Sequence, residues 1–216
     1  KGLGLEKMAI ADSNEDPSSF AANALIKLFE ENNIDPKEIG RIYMGTESAL
    51  DASKPSATYA TDLVEKYFSK KFGERCLKNC DIADLTFACI GGVDALQNTI
   101  DWISVNPGKK AVVVSSDLSK YELNSTGEYT QGAGAIALLI TENPSLISID
   151  NVWGVATKSE NDFFKPRRTF NKKELIDEII SKLSLDISNK DFEKIFSKST
   201  FWDNNSEIIE VFKDEP

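Results

Sequence analysis

Ile82-Ala83-Asp84-Leu85-Thr86-Phe87-Ala88-Cys89-Ile90-Gly91-Gly92-Val93 runs from a strand-like segment through a glycine pair into a helix. Residues 82–86 carry the apolar character of a short strand. Beyond Gly92, the apolar positions Val93, Leu96, Ile100 and Ile103 recur at helical spacing. That helix stops before Asn106-Pro107-Gly108, and Ala111-Val112-Val113-Val114 follows inside a strand spanning 110–116. A short continuous apolar run of this kind marks a strand covered on both faces.

Moving outward, the same alternation continues. Asp16-Pro17 is a helix start with proline at the first helical position. Phe20, Ala24, Leu25, Leu28 and Phe29 continue it at helical spacing to Asn32-Asn33. Residues 39–45 read as a buried strand. Residues 56–71 read as a second helix with Tyr59, Leu63, Val64, Tyr67 and Phe68 on one face. Residues 117–131 show no period and read as a loop. Gly132-Ala133-Gly134-Ala135-Ile136-Ala137-Leu138-Leu139-Ile140 reads as a buried strand that begins with small residues, and residues 146–155 read as its hairpin partner across Glu142-Asn143-Pro144. Alternating helices and strands define an α/β class.

The character changes near residue 156. Residues 158–171 form a polar and aromatic loop, 172–196 one or two charged helices, and the tail a loop with a strand. The expected organisation is a layered unit over 1–155 followed by a loop and helical insertion over 156–216. The chain opens on Lys1 and stops directly after an apolar run, so a truncated protein is expected.

Composition narrows the functions. The 216 residues are 41% hydrophobic and 28% charged, which fits a globular protein with a core. Lys and Arg total 25 against 35 Asp and Glu, a net charge of −10. Such a surface repels phosphate backbones and anionic lipid, so neither nucleic acid nor membrane is an expected partner. Three cysteines, an odd and low number, fit a reducing, cytoplasmic setting. There is no histidine, which excludes a Ser-His-Asp triad, a Cys-His pair or a typical catalytic zinc site built from this chain. No metal is expected at Cys76 and Cys80, which have no further nearby cysteine.

Cys89 stands where a strand meets a helix, a corner that holds a nucleophile exposed. A helix N-terminus aimed at a sulfur favours the thiolate, and its backbone N–H groups can stabilise an oxyanion during acyl transfer. A small buried residue packed between strand and helix is the alternative at this position. Glu47 follows a strand and a Gly45-Thr46 turn, where α/β sheets collect functional groups. A carboxylate there can move protons, or it can be an ordinary solvated loop acid.

Gly45-Thr46-Glu47-Ser48, then Ala88-Cys89-Ile90-Gly91, then Gly127-Glu128-Tyr129-Thr130-Gln131-Gly132-Ala133-Gly134-Ala135 come in an order that resembles the 3-hydroxy-3-methylglutaryl-CoA synthase family of the thiolase superfamily. The opening Lys1-Gly2-Leu3-Gly4-Leu5 and Asp162-Phe163-Phe164-Lys165-Pro166 are similar to further family segments, so the resemblance covers about residues 1–170.

The resemblance implies a thiolase-like layered α-β-α-β-α fold, of which this chain carries the first half plus an insertion. It implies that Cys89 is acetylated by acetyl-CoA and that Glu47 is the base that removes a proton from the acetyl group. The carbanion then attacks acetoacetyl-CoA on the mevalonate route to isoprenoids. It implies that Thr130 and Asn124 contact substrate and that Asp51, Asp117 and Asp162 orient the reacting groups. CoA thioesters are the implied substrates, no cofactor is needed, and the implied assembly is a homodimer. Two features depart from the family. Ile90 stands where an aromatic residue often follows the cysteine, and the family's histidine has no counterpart, so these residues alone are not expected to condense. A carrier-protein-dependent synthase of polyketide assembly and a catalytically incomplete interaction module are the rival readings. The former needs a basic docking face, for which Lys165-Pro166-Arg167-Arg168 is the compact candidate.

Overall fold

The computed structural model describes residues 4–121, 127–150, 152–158, 167–184, 186–198 and 208–212. The chain divides into two compact units, Lys1–Trp153 and Gly154–Pro216.

The first unit is built on a four-stranded sheet of β1 (Ile39–Gly45), β2 (Asp81–Leu85), β3 (Lys110–Ser119) and β4 (Gly132–Ile140), in the order β2-β1-β3-β4. β2, β1 and β3 run parallel, and β4 is antiparallel to β3. Helices α1 (Pro17–Glu31) and α2 (Ser56–Phe72) cover one face, and α3 (Gly91–Ser104) covers the other. Strand parity decides which residues look which way. Ile42 and Met44 of β1 and Val112 and Val114 of β3 point into the core with Ala21, Leu25, Phe29, Ala60, Val64 and Phe68. The intervening residues face α3: the Arg41 guanidinium lies 5.0 Å from the Trp102 ring centroid.

The helix starts have local causes. Asp16 caps α1, accepting from the Ser19 N–H at 2.7 Å, while Ser19 Oγ accepts from the Asp16 N–H at 2.9 Å. Such a cap contributes about 1 kcal/mol. α2 has no side-chain cap of its own. Asp84 of β2 supplies one, accepting from the N–H groups of Ser56 at 2.5 Å and Ala57 at 3.0 Å.

Five expectations from the sequence are corrected in this unit. β4, read as a buried strand, is only partly covered, and its Ile136 and Leu138 are exposed. On α2 the buried stripe is Ala57, Ala60, Val64 and Phe68, while Tyr59, Leu63 and Tyr67 are exposed. Small residues let the helix approach its neighbours, and the two tyrosines reach outward to Asp51 and Glu30. On α3 the buried stripe is Gly91, Ala95, Thr99 and Ile103, and Val93 is exposed. β3 continues past residue 116 to Ser119, because Asp117, Leu118 and Ser119 pair with Gly134, Ala133 and Gly132 of β4. Residues 146–155 are not a hairpin partner of β4. Among the described residues that segment has no strand, and Ile147 and Ile149 instead line a cavity of about 250 Å³ with Ile100, Ile103 and Leu139.

The second unit pairs β5 (Arg167–Asn171) antiparallel with β6 (Ile208–Phe212), with α4 (Lys172–Lys182) and α5 (Asn189–Phe196) between them in sequence. β5 falls in the stretch read as a loop. Its partner lies some forty residues on, and no local signal announces such a pairing. Asn171 caps α4 through the Lys173 N–H at 2.9 Å, and Ile176 and Phe192 are buried.

Candidate active site

Cys89 is exposed in a 3-10 turn, Ala88–Ile90, between the end of β2 and the start of α3. The residue before it, Ala88, has φ +40°, in the left-handed region that costs a non-glycine residue roughly 1–2 kcal/mol. The turn closes on the Phe87 carbonyl, which accepts from the N–H groups of Ile90 at 2.9 Å and Gly91 at 3.0 Å. Those two N–H groups, where the turn enters α3, are therefore engaged inside the turn.

Glycines let this corner sit against the sheet. A Cβ on Gly45 would lie 2.1 Å from the Gly92 nitrogen, one on Gly91 2.3 Å from the Leu85 carbonyl oxygen, and one on Gly92 2.3 Å from Ser115 Oγ. Backbone thus meets backbone where β1, β2 and the first turn of α3 converge. The gap between the Cys89 corner and the end of β1 is set by the absence of three methyl groups.

The chain beyond β1 carries Glu47. The Thr46 N–H donates to the Leu85 carbonyl at 3.2 Å, continuing the β1–β2 alignment by one residue. Asp117 Oδ1 then accepts from the Glu47 N–H at 2.7 Å, from Ser48 Oγ at 2.9 Å and from Thr46 Oγ1 at 3.0 Å. Ser48 Oγ accepts in turn from the Leu118 N–H at 2.8 Å. One carboxylate on β3 gathers the whole Thr46-Glu47-Ser48 turn.

The Glu47 carboxylate meets two hydroxyls. Ser119 Oγ donates to Oε1, and the Tyr121 hydroxyl lies 3.0 Å from Oε1 and 3.2 Å from Oε2. Burial, followed by the hydrogen bond to Glu47 and its charge, pushes the Tyr121 phenol above its ordinary value. Glu47 and Cys89 line one open cleft of about 530 Å³ with Ser115, Asp117, Ser119, Tyr121 and Thr130. Thr130 Oγ1 also donates to the Gly127 carbonyl at 2.8 Å, so it both closes its own turn and faces the cleft.

The structure therefore brings Cys89, Glu47, Asp117 and Thr130 together. Asp51 is elsewhere: it is exposed and accepts from the N–H groups of Ser53 at 2.7 Å and Lys54 at 2.9 Å. Those backbone bonds, Lys54 first, hold its carboxyl below the usual range. Asn124 and Asp162 lie outside the described residues. Ser115, Ser119 and Tyr121 were not singled out from the sequence. Continuing the period of two along β3 through 115, 117 and 119 would have found the serines. Burial pushes the Cys80 thiol up to about 12 and raises that of Cys76, which disfavours the thiolate form of both. Among the described residues no group of three or more Cys, Asp or Glu is placed to hold a metal, and no helix is long and apolar enough to cross a membrane.

A parallel sheet ending in one antiparallel strand, with a cysteine on the strand-to-helix corner, fits the thiolase-like fold that the sequence resemblance implies. Known proteins agree. The family of hydroxymethylglutaryl-coenzyme A synthase N-terminal regions matches residues 1–145. Hydroxymethylglutaryl-CoA synthase of Haloferax volcanii is 38% identical over 172 residues, 79% of this chain and 38% of that protein. The Schizosaccharomyces pombe enzyme is 38% identical over 170 residues, 78% of this chain and 36% of that protein. A solved structure of MvaS in complex with 3-hydroxy-3-methylglutaryl coenzyme A superposes with a TM-score of 0.67 at 38% identity, over 76% of this chain and 38% of that one. The chain belongs to the hydroxymethylglutaryl-CoA synthase family. It spans less than two fifths of the length of these relatives.

Proposed function

We propose that this chain is the part of a hydroxymethylglutaryl-CoA synthase that forms and activates the acetyl-enzyme. The carrying observation is that an exposed cysteine and a turn-held carboxylate line one cleft. Cys89 Sγ attacks the acetyl-CoA thioester, CoA leaves, and an acetyl-cysteine remains. A thioester acidifies its α-carbon, and the Glu47 carboxylate takes a methyl proton, leaving the electron pair on the acetyl group. That carbanion adds to the ketone of acetoacetyl-CoA, and hydrolysis of the cysteine thioester frees the product.

Asp117 serves by positioning Glu47, and Thr130 by facing the acyl group. Asn124, Asp51 and Asp162 are assigned through the family resemblance. The alkoxide formed in the addition needs a proton or a donor. With no histidine in these 216 residues, the histidine that serves this step in the family must come from other sequence. The reaction needs no resident cofactor, and the enzyme acts in the cytoplasm as a homodimer.

Incubation with labelled acetyl-CoA followed by mass mapping tests the assignment. Label is expected on Cys89 and not on Cys76 or Cys80. In the complete gene product, Glu47→Gln is expected to keep the acetylation and to slow carbon–carbon bond formation by at least ~10²-fold. Label on Cys76 or Cys80 with Cys89 bare, or equal losses in both steps, would overturn the reading.

A further inference from the structure

Glu47 stands beyond the end of β1, on a turn rather than in the sheet. A carboxylate that must meet a methyl proton needs its head held as well as its backbone. Asp117 holds the backbone through the Glu47 N–H. Two residues further along β3, on the same face, Ser119 Oγ donates to Glu47 Oε1. The strand rise puts these two side chains roughly 7 Å apart, comparable with the reach of one glutamate. β3 thus grips Glu47 at both ends. Ser119 is itself locked in the ladder, paired with Gly132 of β4. Tyr121 also touches Glu47, but it lies beyond the strand and its hydroxyl is shared between both carboxylate oxygens, at 3.0 and 3.2 Å. A shared contact tolerates rotation of the carboxylate about its terminal bond. A donor on one oxygen, mounted on the sheet, does not.

We infer that Ser119 is a positioning residue for the general base: its hydroxyl orients the Glu47 carboxylate toward the acetyl group on Cys89. This rests on the proposed role of Glu47. Ser119 takes no proton from substrate and forms no bond to it.

The test uses the complete gene product, with acetyl-CoA as the probe and two readings on the same acetyl-enzyme. One is label transfer to Cys89, and the other is exchange of the acetyl methyl protons with solvent deuterium. In Ser119→Ala the ratio of exchange to transfer is expected to fall about 10-fold, the scale of a misplaced rather than a missing base. Ser119→Thr, which keeps the hydroxyl, should return the ratio to within about 3-fold of the parent. Ser119→Cys, nearly isosteric with a weaker donor, should fall between them and serves if the alanine variant does not fold. An unchanged ratio in Ser119→Ala, or a fall in Ser119→Thr as deep as in Ser119→Ala, would overturn the inference while leaving Glu47 as the base. Exchange that is insensitive to Glu47→Gln would overturn the role of Glu47 and that of Ser119 with it.

Discussion

The two turns that line the cleft are held in place by opposite means. The Glu47 turn is held by addition: a carboxylate, three hydroxyls and a phenol converge on it, and Asp117 alone accepts three hydrogen bonds there. The Cys89 corner is held by subtraction: Gly45 and Gly91 leave out side chains so that backbone can meet backbone, Gly92 leaves room for the Ser115 side chain, and Ala88 is bent into the left-handed region. The proposed base needs a head that is oriented, and hydrogen bonds orient. The proposed nucleophile needs exposure and reach, and close packing beneath it provides both without covering the sulfur. The two turns should therefore respond to different kinds of substitution.

The largest effect is expected from a single added methyl. Gly45→Ala places a carbon 2.1 Å from the Gly92 nitrogen, and its nearest neighbours are all Gly91 and Gly92 backbone, with no flexible side chain among them to give way. A loss of about 3 kcal/mol or more is expected in chemical denaturation, with Cys89 acetylation lost in whatever folds. Asp117→Ala comes next. It strips the acceptor from the Glu47 N–H and from two hydroxyls, one of them on the fully buried Thr46. A loss of about 2–4 kcal/mol is expected, with methyl-proton exchange falling further than acetyl transfer. If acetyl transfer fell as far as exchange, the division between the two turns would be wrong. The smallest effect is at Ala88. Ala88→Gly relieves a left-handed backbone but frees the unfolded chain, so the two terms nearly cancel. A gain on the order of 0.5 kcal/mol in thermal denaturation is expected. A clear loss would show that the Ala88 methyl packs rather than strains.

Much of this was legible residue by residue where the signal is local. Asp16-Pro17 starts α1, Gly91-Gly92 opens α3, and Cys89 stands on the corner between strand and helix. Helix faces were less legible. Tyr59, Leu63 and Tyr67 share the helical period with Val64 and Phe68 yet remain exposed, because an amphipathic stripe one row too wide has no way to announce which edge is buried. The end of β3 is illegible for a related reason. Asp117 and Ser119 are polar and read as loop, and only pairing with the small residues of β4 makes them strand. Without the strand Ser119 carries no signal, because alternation along it is what turns that side chain to the cleft.

By itself the sequence determined the chain's punctuation: where caps, glycines and apolar runs begin and end each element, and that a thiol and a carboxylate stand at two such ends. These are constraints of φ, of missing N–H groups and of period, and they act within a few residues. Only the tertiary structure decided the company each group keeps. That Asp117 serves Glu47, that Asp84 caps a helix it does not belong to, and that Ser119 and Tyr121 share one carboxylate all depend on pairings across some 27 to 74 positions of chain. Nothing short-range encodes them, because a hydrogen bond between distant residues exists only once the sheet has set which strands are neighbours and in what register.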